Sequence, residues 1–437
     1  MKTISFLWDT ACVEQSKLHE LNQKVTHSIE KLQQTRHHNN YQTPQSSINC
    51  AFDKNIPEQV TTHMNAKKKL NPRAMVIVGI GGSNLGTQAI YEALYGKEGN
   101  PEFPLYFADT VDSDYITGLL KKIEYLLQDK QTVLLTLISK SGSTTESIAN
   151  FECFLQLLKK YHPTDYIKNV IIITDENSKL WNLAGDYKFD RLPIPALVGG
   201  RYSVFSAVGL FPLACTGIDI NQLLLGAQTI ARDCLDSNRE TNPAARSATI
   251  IAYHYFNNTP INDLFIFNVA LESIGKWYRQ LMGESIGKEI NIFGKKVNIG
   301  ITPTVSIGST DLHSVGQLYL GGPFDKFTTF IWIEKNNHTV TIPAMPEYET
   351  LVPHIQGKSL AQVMNAIFRG VQKAYINNNR PFITITMPEK NAYYIGQLLQ
   401  LQMIQMMYLG ALLDVNPFDQ PEVELYKEQT RKILKYE

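Results

Sequence analysis

AMVIVGIGGSNLG (residues 74–86) and TVLLTLISKSGSTTES (residues 132–147) follow one plan: an apolar β-type run, a short loop of glycines or hydroxyls, then a helix-type pattern. Strand, loop and helix in that order suit an anion, because the start of a helix presents unpaired N–H groups and the positive end of its dipole, and glycine lets a phosphate approach the backbone. Serine and threonine hydroxyls add neutral donors. A small phosphorylated or otherwise anionic metabolite is therefore the expected partner. Working outward, PLYFAD (104–109) and NVIIITD (169–175) repeat the strand texture, and helix-type stretches such as SDYITGLLKKIEYLL (113–127) and TTESIANFECFLQLLKKY (144–161) separate the runs. That alternation predicts an α/β fold, a parallel sheet with helices on both faces.

Helical patterns dominate residues 203–256, after which LFIFNVA (264–270), FTTFIWIE (327–334) and PFITITM (381–387) bring strands back between helices and predict a second α/β lobe. Upstream, Leu18, Leu21, Val25, Ile29 and Leu32 recur at helical spacing and predict an accessory helix, while the polar stretch Gln33 to Asn49 reads as a solvated linker. At 437 residues, two lobes are the expected organisation. The expected boundaries are a helical segment over 1–70, a first lobe with the anion loops over 71–215, and a second lobe with a helical tail over 216–437.

Composition narrows the partner. Forty-one Lys and Arg balance 41 Asp and Glu with no lysine-rich run, which argues against a nucleic-acid surface or an anionic membrane, so the anion site must be local. Five scattered cysteines without a CxxC spacing argue against a disulfide framework or a zinc site and fit a reducing cytoplasm. The N-terminal stretch is short and mixed for a signal peptide, and glutamines interrupt Tyr393 to Leu413, the most apolar helix candidate, so no membrane span is expected. No histidine pair at i,i+4 points to a metal.

Individual segments admit two readings each. Gly79 to Ser83 is either an anion loop or merely a tight βα turn; it is not a dinucleotide fingerprint, because Asn84 stands where a third glycine belongs, and no Walker Lys-Ser/Thr follows. Hydroxyls at Ser139, Ser141, Ser143 and Thr144 suit a phosphate cradle, and Thr144 equally suits a helix cap. Arg201, after a glycine pair, could clamp an oxyanion or pair with a surface carboxylate. Glu284, set between glycines at the end of a helix-type run, is a base candidate or a solvated carboxylate. His313 is the one histidine flanked by polar loop residues and then a helix-type run, and Lys427 follows a proline-flanked corner at residues 416–421.

Taken in order, VGIGGSNLG, LISKSGSTTES, GGRYSVFSAVGL, GESIGKE, GSTDLHSVGQL and NPFDQPEVELYK resemble the phosphoglucose isomerase family, its shorter bacterial branch in particular, over residues 75–428. The resemblance implies two three-layer α/β/α sugar-isomerase lobes and interconversion of glucose 6-phosphate and fructose 6-phosphate through a cis-enediol, with no cofactor and as a homodimer. It implies that Ser139, Ser141, Thr144 and the Lys140 backbone hold the phosphate and that Gly82 and Ser83 line the same pocket. Glu284 would be the base, Arg201 would steady the enediolate, Gln420 would hold the sugar near Glu284, and His313 from the neighbouring subunit and Lys427 would serve ring opening. Glu422 departs from the pattern, which has glycine after the Asp-Gln-Pro corner, and puts the approach of Lys427 in question. Competing readings are a non-catalytic phosphosugar-binding regulator on the same lobes, an amino-sugar isomerase and a nucleotide-dependent oxidoreductase.

Overall fold

A computed structural model describes residues 3–436. The strands in chain order are β1 (Ser5–Leu7), β2 (Pro72–Val78), β3 (Leu105–Ala108), β4 (Thr132–Ile138), β5 (Val170–Thr174), β6 (Asp190–Pro193), β7 (Ile261–Ile266), β8 (Lys288–Ile290), β9 (Lys296–Ile299), β10 (Thr302–Ile307), β11 (Lys326–Lys335) and β12 (Phe382–Glu389). One sheet runs β3-β2-β4-β5-β6 and is wholly parallel. The second runs β1-β12-β11-β7-β10, parallel except for β1. In each, the first parallel strand along the chain has the next parallel strand on one side and the following one on the other. The lobes thus share a winding that no sequence repeat announces.

Strands buried on both faces explain the unbroken apolar runs: all five side chains of β5 are buried, as are the last five of β2. The helix Ala392–Leu412, in which only Ala392 and Ala411 are not buried, packs mainly against helices of the second lobe and more lightly against helix Leu85–Tyr95 of the first. The glutamines that interrupt its apolar sequence are buried too, and some tie neighbours to it: Gln397 Oε1 accepts from Ile4 N at 3.0 Å, and Gln405 Nε2 donates to Ser247 Oγ at 2.8 Å. Among the described residues no helix is long and apolar enough to cross a membrane.

Two expectations for the N-terminal region are corrected. The segment before residue 71 is not purely helical, because β1 adds an antiparallel edge to the second sheet, Ser5 opposite Thr386. Three residues are too few for a period-2 pattern to register. Nor is Gln33 to Asn49 a solvated linker. The first helix, Gln15–His38, continues through its start, and a 3-10 turn over Pro44–Ala51 buries Ser46 to Ala51. Its polar side chains go into local bonds: Asn49 Nδ2 donates to Thr35 O and Asn40 O, and Thr43 with Ser46 closes a capping box. Strands β6 and β8 to β10 also lay outside the sequence-based expectation, being short or half exposed.

Candidate active site

Strand order reverses between β2 and β4, and ligands of open α/β sheets bind outside the carboxyl ends of strands at such a reversal. Both glycine- and hydroxyl-rich loops lie there, one leaving β2 and the other β4. The first makes a 3-10 turn, Gly81–Ser83. A Cβ built on Gly82 would fall 2.2 Å from the carbonyl carbon of Gly200 and 2.6 Å from Arg201 N, so only glycine lets this loop meet the Gly199–Tyr202 turn. Asn84, the residue that breaks the dinucleotide pattern, is buried and donates to Asp109 Oδ2 at 2.8 Å, tying the loop to the end of β3.

In the second loop Thr174 Oγ1 donates to Ser139 O at 2.6 Å, fixing the base of the turn. Thr144 occupies the cap position of helix Thr145–Tyr161 yet makes no capping bond; its hydroxyl lies 3.1 Å from Ser139 Oγ. Of its two sequence-level readings, the cap is therefore not the one realised, and the cap side chain leaves the helix's first amides unclaimed. Ser141 and Ser143 are exposed, their hydroxyls 3.3 Å apart. Burial pushes the Lys140 ammonium pKa down, partly offset by Asp175.

Arg201 is not a surface partner. It is 3% exposed and every nitrogen is engaged: Nε donates to Ser285 Oγ at 2.8 Å, Nη1 to Gln420 Oε1 at 2.7 Å and Glu284 Oε2 at 3.3 Å, and Nη2 to the carbonyls of Pro417 at 2.7 Å, Asp419 at 3.0 Å and Glu284 at 3.4 Å. Glu284 stands near the end of helix Glu272–Ile286, whose face of Ile274, Trp277, Tyr278, Leu281 and Ser285 is buried. Burying each large apolar member of that face is worth roughly 1.5–3 kcal/mol, which fixes the helix while Glu284, at its margin, stays partly open. The same helix packs across helix Leu85–Tyr95 that follows the first loop, so a side chain of the second lobe is carried to the loops of the first. A cleft of about 450 Å³ is lined by Glu284, Gln420, Gly287, Lys288 and Glu422, among others.

Two residues with no part in the sequence-level site belong to it. Gln280, one helical turn before Glu284, donates to Glu284 Oε1 at 3.3 Å, and its own buried Oε1 has no partner among the described residues. Its Nε2 would lie 2.8 Å from a Cβ on Gly81, so it also abuts the first loop. Lys288 Nζ donates to the carbonyls of Glu284 at 2.6 Å and Asp419 at 2.7 Å. Spacing of four residues along the helix was the available signal for Gln280, whereas Lys288 lies past the helix end, in β8, and carried none. Glu422, the departure from the family pattern, accepts from Glu289 N at 3.3 Å, bracing β8 against the corner.

Two predicted residues are not drawn in. His313, itself exposed, ends a 3-10 turn without buried residues, Thr310–His313, and Lys427 pairs with Glu424 of its own helix at 2.7 Å. That helix, Val423–Tyr436, has no buried residue among those described.

Residues 54–437 match the family model described as Phosphoglucose isomerase. The chain is 35% identical over 393 residues to the glucose-6-phosphate isomerase of Carboxydothermus hydrogenoformans, covering 87% of this chain and 82% of that one. It is 32% identical to the glucose-6-phosphate isomerase of Methanocaldococcus jannaschii, covering 83% and 84% of the two chains. Among solved structures, a hypothetical protein of Thermus thermophilus superposes with a TM-score of 0.84 at 28% identity, over 98% of this chain and all of that one. A glucose-6-phosphate isomerase of Chlamydia trachomatis shares the fold, with a TM-score of 0.82 at 21% identity over 100% of this chain and 89% of that one.

Proposed function

The chain belongs to the phosphoglucose isomerase family and is an aldose–ketose isomerase that interconverts D-glucose 6-phosphate and D-fructose 6-phosphate; from that premise we propose that Glu284 is its base and that Ser139, Ser141, Thr144 and the Lys140 backbone grip the phosphate. The observation that carries the reading is a single nitrogen, Arg201 Nη1, that holds both Glu284 Oε2 and Gln420 Oε1. That bond turns the Gln420 amide so that its NH2 is left to donate to a sugar hydroxyl.

The phosphate is remote from the reacting carbons, so its binding energy orients the sugar for the transition state. Neutral hydroxyls and helix N–H groups suffice for that, with Gly82 and Ser83 lining the same pocket. In the open-chain aldose Glu284 removes the C2 proton; the C–H electrons become the C1–C2 double bond as the C1 carbonyl oxygen is protonated, giving a cis-enediol. The same carboxyl then returns the proton to C1 while the C2 hydroxyl gives up its own proton and its oxygen becomes the carbonyl, which balances the proton gained at the C1 oxygen. Arg201, buried and permanently charged, stabilises the oxyanion character that develops between these steps. His313 and Lys427 serve ring opening, with His313 supplied by the second chain of a homodimer; its exposure at the end of a turn supports that assignment, as does the pairing of Lys427 with nothing beyond its own helix among the described residues. The five free cysteines support a cytoplasmic setting.

In a coupled assay with fructose 6-phosphate and neither metal nor nucleotide, Glu284→Gln is expected to lower kcat by roughly 10²- to 10⁴-fold, the range of a lost general base. Near-normal turnover by that variant overturns the assignment.

A further inference from the structure

We propose that Lys288 is a positioning residue of the isomerisation, its ammonium tying the base to the corner that carries Gln420; the inference rests on the reading of Glu284 as the base. Its side chain is 3% exposed, and a cation is taken out of water only where bonds replace the water it loses. Here they do: Nζ donates to Glu284 O at 2.6 Å and to Asp419 O at 2.7 Å, with Asp419 Oδ1 at 3.5 Å as counter-ion. Glu284 lies in the last turn of its helix, where a carbonyl has no intrahelical donor and the dipole favours positive charge. Asp419 is the residue before Gln420. One buried atom therefore sets the separation of two groups that the reaction needs at a fixed distance.

Arg201 reaches the same two carbonyls at 3.4 and 3.0 Å, but its remaining donors are spent on Ser285, Pro417 and the two side chains. The short bonds belong to Lys288. The corner is closed on its other side by Asn416 Nδ2, which donates to Asp419 Oδ2 at 2.6 Å, so without Lys288 it would be held to itself but more loosely to the helix. Lys288 touches no reacting atom, and the phosphate grip lies on the other lobe. Its removal should therefore show in the chemical step and not in substrate binding.

The test compares Lys288→Met and Lys288→Arg with the wild-type enzyme, using fructose 6-phosphate for kcat and KM and 2-deuterated glucose 6-phosphate for the primary isotope effect. Displacing a catalytic group by about 1 Å costs on the order of 10²-fold, so Lys288→Met is expected to lose about tenfold to a hundredfold in kcat. KM should hold, and the isotope effect should rise as proton transfer becomes rate-limiting. Lys288→Arg keeps charge and donors but not the compact ammonium, and should be intermediate. A merely structural lysine lowers the folded fraction and leaves the isotope effect where it was; that outcome, or a raised KM at unchanged kcat, overturns the proposal. If Lys288→Met does not fold, wild-type kcat and isotope effect in Lys288→Arg overturn it equally. Glu284→Gln is measured alongside. Normal turnover there sinks the base reading and this inference together, whereas an inactive Glu284→Gln beside unaffected Lys288 variants sinks only the inference.

Discussion

Asp263 and His254 show how far burial can move single groups away from the substrate. Asp263 Oδ1, on β7, accepts from Thr304 Oγ1 at 2.7 Å, Ser306 Oγ at 3.0 Å and the Tyr319 hydroxyl at 3.2 Å, while its buried Oδ2 has no partner among the described residues. Burial outweighs those bonds and, with Asp311 nearby, pushes the carboxyl up to about 6. His254, stacked on Phe327 with Nε2 2.7 Å from Ala11 O, is pushed down to about 4 by the same loss of water. The signs oppose. Between pH 6 and 4 the folded chain takes up a proton at Asp263 that the unfolded chain does not, so acidification stabilises it through that group. Over nearly the same window the unfolded chain protonates His254 and the folded one does not, so acidification destabilises it there. Each effect is worth roughly 3 kcal/mol at about 1.4 kcal/mol per pKa unit. Asp263→Asn removes only the first, so thermal melts of that variant are expected to fall more steeply from pH 6 to pH 4 than those of the wild type. Equal slopes would contradict the assignment.

Elements meet where the sequence spends glycine. Helix Ile220–Cys234 crosses helix Ala392–Leu412 with Gly226 against the carbonyl of Tyr393 and Gly396 against that of Leu223; a Cβ would fall 1.8 and 2.0 Å from those oxygens. Gly396→Ala must push the helices apart and is expected to cost roughly 1–3 kcal/mol or more in chemical denaturation. Gly118, inside the surface helix Ser113–Gln128, has nothing within 4 Å of a built Cβ. Gly118→Ala should instead stabilise by roughly 0.5–1 kcal/mol, through helix propensity and a less flexible unfolded chain. If the two variants move in the same direction, the close crossing is not what Gly396 serves. The C-terminal helix is a different kind of element, amphipathic yet unburied, with Leu425, Tyr426, Ile433 and Leu434 exposed.

At the scale of the whole molecule, the proposed homodimer makes a prediction that one chain alone could not satisfy. Glu284→Gln and His313→Ala chains should each be inactive, but if His313 crosses to the partner, a mixed dimer holds one site with both defects and one with neither. Unfolding and refolding the two together should then restore about a quarter of wild-type sites, as random pairing under two-fold symmetry requires. No recovery would keep His313 in its own subunit. The α/β class, the two glycine- and hydroxyl-rich loops at strand ends and the helix bearing Glu284 could be read from the chain because each is a local pattern: unbroken apolar runs, hydroxyls at strand ends, a buried face recurring every three or four residues. Sequence resemblance likewise carried Arg201, Glu284 and Gln420 as members of one site. What only the folded chain decided is which groups share an atom: Arg201 Nη1 between Glu284 and Gln420, Lys288 between two carbonyls, Gln280 against Gly81, β1 on the edge of a sheet whose other strands begin more than 250 residues later. A local pattern fixes the conformation of neighbours along the chain; contacts across hundreds of residues depend on how two separately wound lobes pack, helix Glu272–Ile286 against helix Leu85–Tyr95, and no short stretch of sequence contains that geometry.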